Sequence, residues 1–126
     1  MALSNPYQKY QQNSVMSAAP EELTHMLYNG GVRFIRQAMQ HIEAKELEKA
    51  HEKLVRAQEI YAHLQDTLNR DIEIAGNLHS LYDFIIHQLM QANIKKDTDI
   101  LQEIVALTED LRDTWKEAME KAREQG

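Results

Sequence analysis

Two Glu-x-x-His pairs, Glu22–His25 and Glu48–His51, are the residues of this sequence best spaced for chemistry. Positions three apart share a face of a helix, and two such pairs with two further glutamates build the di-iron site of some four-helix bundles. Distance argues against that use here. Each pair lies near the start of its helix, and consecutive antiparallel helices put those starts at opposite ends, roughly 30 Å apart for twenty residues. No inward Glu interrupts the apolar stripes later in the chain. The six histidines include no pair four apart, so the helical His-Glu-x-x-His zinc motif is missing. The sequence also has no cysteine, no Gly-rich phosphate loop and no Gly-x-Ser-x-Gly elbow. No catalytic, metal or cofactor-binding residue is expected, and the reading is of a protein that is not an enzyme.

The elements that carry these residues are helices. Pro20 suits a first helical position, because its missing N–H is not needed there, and Glu21 and Glu22 then complement the helix dipole. Leu23, Leu27, Gly30, Phe34, Ala38 and His41 follow in steps of three and four. That period runs straight through Asn29-Gly30-Gly31, so the hairpin signal of Asn-Gly is overridden; no alternating strands flank it. A second helix has a heptad-spaced seam, Leu47, Ala50, Leu54, Ala57, Tyr61, Leu64 and Leu68. A third carries Ile74, Leu78, Leu81, Ile85, Leu89 and Ala92, with Asp71 as its cap. A fourth carries Ile100, Ile104, Leu107, Leu111, Trp115, Ala118 and Ala122, with Asp97 as its cap. Short connections make sequence neighbours antiparallel, so the expected fold is all-α: an antiparallel up-down-up-down four-helix bundle with an extended N-terminal arm. The arm occupies 1–19, the bundle 20–122 with helices at about 20–42, 46–68, 72–93 and 97–122, and a tail 123–126.

Composition agrees and narrows the partners. Of 126 residues, 43% are hydrophobic and 27% charged, with only four Gly and two Pro, as suits a helix-rich globular chain. A net charge of −6, with basic residues scattered among acidic ones, argues against nucleic acid or a membrane surface as partner. No basic and apolar leader and no run of eighteen apolar residues is present, so a cytoplasmic, soluble protein is expected.

The first helix has more apolar surface than one core face requires. Leu23, Leu27, Gly30, Phe34 and Ala38 make an ordinary core face, while Tyr28, Val32, Ile35 and Met39 form a second stripe roughly 130° around the helix. The third helix repeats the excess with Tyr82, Ile86 and Met90. Contiguous apolar surface on an acidic protein marks a binding site, and an amphipathic segment laid into a groove is a common way to fill one. Gly30 and Gly31 each cost about 1 kcal/mol relative to Ala and permit close approach, either by a neighbouring helix or by an arriving segment. Tyr7 and Tyr10 in the arm are expected to fold back over part of this surface and to move aside when a partner binds. The expected partner-binding set is therefore Tyr7 and Tyr10; Leu27, Tyr28, Gly30, Gly31, Val32, Ile35 and Met39; and Tyr82, Ile86 and Met90.

The same residues carry a resemblance. Ala19-Pro20-Glu21-Glu22-Leu23 followed by Met26-Leu27-Tyr28-Asn29-Gly30 resembles the opening helix of the flagellar secretion chaperones specific for flagellin. Asn5-Pro6-Tyr7 and Tyr10 look like the tyrosine-bearing arm of that family. Leu68-Asn69, Asn77-Leu78 with Leu81-Tyr82-Asp83, and Ala92-Asn93 before Lys95-Lys96-Asp97 look like its later helix junctions. The resemblance implies a bundle that binds the disordered C-terminal segment of flagellin in the bacterial cytoplasm. It implies, too, that the client is kept from polymerising and that the loaded complex docks at the flagellar type III export gate. By position it assigns Tyr7, Tyr10, Leu27, Tyr28 and Gly30 to the arm and groove. Gly31, which doubles the family's glycine, and Ala19, where a capping Ser is common, depart from the pattern. Two other readings remain open: a four-helix-bundle metal or cofactor enzyme, and a structural bundle that associates weakly as a homodimer through helix 1.

Overall fold

Pro20 begins the first helix, α1 (Pro20–Glu43), whose first turn carries Glu21 and Glu22. α2 (Leu47–Asp66), α3 (Ala75–Lys95) and α4 (Thr98–Gln125) follow. This computed structural model describes residues 20–69, 71 and 75–125. Among them there is no strand. The helices alternate in direction and close a ring, α1 packing on α2 and α4, and α3 on α2 and α4.

The helix ends explain the short connections. After α1 the chain reverses at Lys45, which takes a left-handed φ of 62°. The Glu46 N–H then donates to the His41 carbonyl at 2.8 Å and the Lys45 N–H to Ile42 at 2.9 Å, which satisfies carbonyls the helix leaves free. α3 ends the same way, with Lys96 at φ 51° and the Asp97 N–H donating to Ala92 at 3.1 Å. Lys and not Gly fills both left-handed positions. Asp97 caps α4 as expected, its Oδ1 accepting from Asp99 N–H at 2.8 Å and Ile100 N–H at 3.4 Å. The expected role of Asp71 at the start of α3 runs into residues 72–74, outside the described set.

The core corrects the expected orientation of α1. Tyr28, Val32, Ile35 and Ala38 are the residues it buries, at 4% exposure or less. Leu27 and Phe34, expected in the core, lie at its edge. Tyr28, Val32 and Ile35 of the stripe expected outside are thus core, together with Ala38 of the expected face, while Met39 is only partly buried. Tyrosine is the reason: Tyr28, Tyr61 and Tyr82 meet at the bundle centre, where Tyr28 and Tyr82 hydrogen-bond hydroxyl to hydroxyl across the diagonal. A polar tip satisfied inside the core lets the whole aromatic ring be buried. Desolvation raises the pKa of all three phenols, and the bond to Tyr82 raises that of Tyr28 further, so the centre stays uncharged well past the ordinary phenol range.

Gly31 makes the room. A Cβ there would lie 2.7 Å from Cζ of Tyr61, so the Tyr61 ring rests directly on the α1 backbone. Gly30 is occupied less tightly, since its Cβ would meet only the tip of Ile60, at 3.2 Å. Both glycines therefore serve contacts within the bundle.

α4 is likewise turned from its expected face. It buries Leu101, Ile104, Val105 and Thr108, while Ile100, Leu107, Leu111 and Trp115 pack at the margin. Ala118 and Ala122 are exposed. The Thr108 hydroxyl donates to the Val105 carbonyl at 3.0 Å, which lets a polar residue replace an aliphatic one inside.

Candidate partner-binding surfaces

Rotating the α1 core face leaves apolar side chains on the flank that meets α2. Leu27 and Phe34 of α1 and Ile60 of α2 floor a groove of about 290 Å³, with Arg56, Glu59 and His63 along its α2 side. Gly30 is buried beneath that Ile60 side chain. Arg33 and Lys53 reach to Phe34, their charged ends 5.4 and 5.6 Å from the ring centre, within cation–π range. Leu27 and Phe34 are seven residues apart, two helical turns, so the floor runs about 10 Å along the bundle.

A second apolar strip follows the seam between α2 and α3. Gln65 donates to the His79 carbonyl at 3.0 Å near one end, and His51 Nδ1 meets the Asn93 amide at 2.9 Å near the other. Asn93 is held in turn by Lys96, whose ammonium donates to its carbonyl and side-chain oxygens at 2.6 and 2.8 Å. Outside this polar stitching, Leu47, Val55, Met90 and Ile94 are exposed, Ile94 at 75%. Phe84 of α3 is also half exposed.

The third surface is a cleft of about 390 Å³ where the start of α1 meets the last turns of α4, lined by Glu21, Trp115, Ala118, Met119, Ala122 and Arg123. The Trp115 indole N–H donates to the Glu21 carbonyl at 2.9 Å and its ring stands edge-on to Tyr28, 6.1 Å between centres. Arg123 pairs with Glu22 at 3.1 Å across the mouth.

The expected binding residues are distributed unevenly over these surfaces. Leu27 lines the α1–α2 groove, Gly30 is buried beneath Ile60, and Met90 is exposed on α3. Tyr28, Val32, Ile35 and Tyr82 are sealed in the core of this monomer, and Gly31 is covered by Tyr61. Met39 and Ile86 are partly buried against the core. Tyr7 and Tyr10 lie outside the described residues. Sequence reasoning missed Ile60, Val55, Phe84, Ile94 and Met119. The available signal was that each is a large apolar residue standing off the stripe of its own helix. Self-association through Val32 and Ile35 would require the bundle to open.

The Glu-x-x-His pairs are not joined. Glu22 is engaged by Arg123 and His51 by Asn93. Among the described residues no group of three His, Asp or Glu side chains could hold a metal ion, and no helix is long and apolar enough to cross a membrane.

Comparison with known proteins agrees with this geometry over nearly the whole chain. Residues 3–122 match the family model described as flagellar protein FliS. The chain is 49% identical over 123 residues to the flagellar secretion chaperone FliS of Bacillus subtilis, covering 98% of this chain and 92% of that one. It is 32% identical over 114 residues to the protein of the same description from Salmonella typhimurium, covering 88% and 84%. Among solved structures, a crystal structure of a flagellar chaperone from bacteria superposes with a TM-score of 0.77 at 26% identity, covering 92% of this chain and 96% of that one.

Proposed function

We propose, from the premise that this chain belongs to the FliS family of flagellar secretion chaperones, that its client is flagellin and that it binds the disordered C-terminal segment of that protein. As a member of that family it is a chaperone and not an enzyme. The observation that supports the client reading is the apolar surface left open on three sides of a rigid bundle: the α1–α2 groove, the α2–α3 seam and the α1–α4 cleft. A compact partner would meet one face. A disordered segment can wrap several, and it pays for ordering only if apolar contacts accumulate along its length. Such coupled folding and binding typically buries about 1,000 to 3,000 Å² and loses about 2 to 5 kcal/mol to ordering. Met90 and Met119, flexible and polarisable, suit surfaces that adapt to a guest.

In this reading the chaperone acts in the bacterial cytoplasm. Occupying the flagellin tail prevents polymerisation before export, and the loaded complex is delivered to the flagellar type III export gate. Tyr7 and Tyr10 of the arm exchange with the client on the apolar surface. Tyr28, Val32, Ile35 and Tyr82 contribute by holding the helices at the spacing that forms the grooves.

Calorimetric titration with a peptide comprising the flagellin C-terminal segment tests the proposal. The expected result is saturable one-to-one binding with a negative heat-capacity change, weakened by Phe34→Asp. No heat and no co-purification would overturn it.

A further inference from the structure

The charges around the α1–α2 groove differ from those of the rest of the molecule. The chain as a whole carries −6, yet Arg56 lines this groove with Glu59 and His63, and Arg33 and Lys53 both stand over its Phe34 ring. Five other basic side chains are in ion pairs, Arg36 with Glu109, Lys49 with Glu46, Arg112 with Asp113, Lys121 with Glu117 and Arg123 with Glu22, while Lys45, Lys95, Lys96 and Lys116 stand unpaired among the described residues, elsewhere on the bundle. Among the described residues, Arg33, Lys53 and Arg56 have no such partner. Three unpaired cations are thus gathered on an apolar strip of an acidic protein.

The groove also limits the conformation of its occupant. Both walls are α-helices, whose backbone N–H and C=O groups are already bonded to one another, so an extended segment would find no ladder to join. A bound segment must satisfy its own backbone, which a helix does. The floor, Leu27, Phe34 and Ile60, spans two turns and accepts the apolar stripe of such a helix. The cations then stand beside that stripe, where the flanking residues of the client would lie.

We infer that the α1–α2 groove receives an amphipathic helical stretch of the client whose apolar stripe is flanked by aspartate or glutamate. The apolar floor supplies most of the affinity, and the rim selects for acidic flanks and sets the orientation of the helix. This rests on the flagellin reading. It adds to it a charge rule for one part of the client and a place on the bundle where that part sits.

The test titrates the full chain with the flagellin C-terminal peptide and with the same peptide bearing Asn and Gln in place of Asp and Glu. It does so at low and high salt. The Lys53→Glu/Arg56→Glu variant is expected to bind the natural peptide about ten- to thirtyfold more weakly and to lose most of the salt dependence. It should bind the neutralised peptide about as well as the parent chain does. Lys53→Gln/Arg56→Gln should fall between. Lys116→Glu/Lys121→Glu on α4 should change affinity less than about threefold, with circular dichroism confirming that all variants fold. Natural peptide that binds the parent and the reversed variant equally, at both salt concentrations, would overturn the charge rule and leave the flagellin reading standing. Failure of the parent chain to bind either peptide would overturn both.

Discussion

Gly31 and Gly30 are adjacent in sequence but do different jobs. The Tyr61 ring lies against Gly31 with no space for a methyl group, and its hydroxyl is buried with no hydrogen-bond partner among the described residues. Gly31→Ala is therefore expected to destabilise the bundle by about 1 to 3 kcal/mol through overpacking, despite the better helix propensity of Ala. Gly30→Ala meets only the tip of a flexible Ile60 side chain, 3.2 Å away, so propensity and crowding nearly cancel and stability should change by less than about 1 kcal/mol. Urea denaturation of both variants checks the contrast. Double substitution of Gly31→Ala with Tyr61→Leu should recover part of the loss, because it removes the ring that the new methyl strikes.

At the scale of the elements, the two left-handed lysines invite a simple test. Among the described residues the Lys45 side chain makes no hydrogen bond that would justify its strained backbone at φ 62°, whereas Lys96 uses its ammonium to hold Asn93. Lys45→Gly is expected to raise stability by about 0.5 to 1 kcal/mol in thermal or urea unfolding; Lys96→Gly should gain less or lose. The helices themselves were legible from periodicity: of the seam, Ala50, Leu54, Ala57, Tyr61 and Leu64 are buried where its spacing placed them, while Leu68 is partly buried and Leu47 at its start is half exposed, and Asp97 caps α4. The rotation of α1 was not. Two apolar stripes lay on one helix, and the choice between them depended on whether a tyrosine hydroxyl could be satisfied inside. That partner, Tyr82, is fifty-four residues away and invisible to a local pattern. α4 was misjudged for a related reason, since Thr108 is buried by bonding to its own helix. Of the exposed apolar surface, Leu27 and Met90 were legible, but the groove needed Ile60, an off-seam residue whose meaning appears only when α1 lies beside it.

The whole molecule has a tightly packed interior and an exterior that keeps apolar side chains exposed. The tyrosine centre and the small residues Ala38, Ala50 and Ala57 hold four helices closely, all at 2% exposure or less. Around that interior, apolar side chains remain at the helix seams, unlike the closed surface expected of a bundle with no partner. The central claim is that the client binds in those seams and leaves the core shut. Methyl-resolved NMR of the chaperone, titrated with the flagellin C-terminal peptide, tests it most directly. Large shifts are expected at the methyls of Leu27, Ile60 and Ile94, with those of Ile35, Leu54 and Ile85 nearly unmoved. Large shifts at Ile35 and Ile85 with Leu27, Ile60 and Ile94 unchanged would contradict it, because the client would then be entering the bundle between its helices.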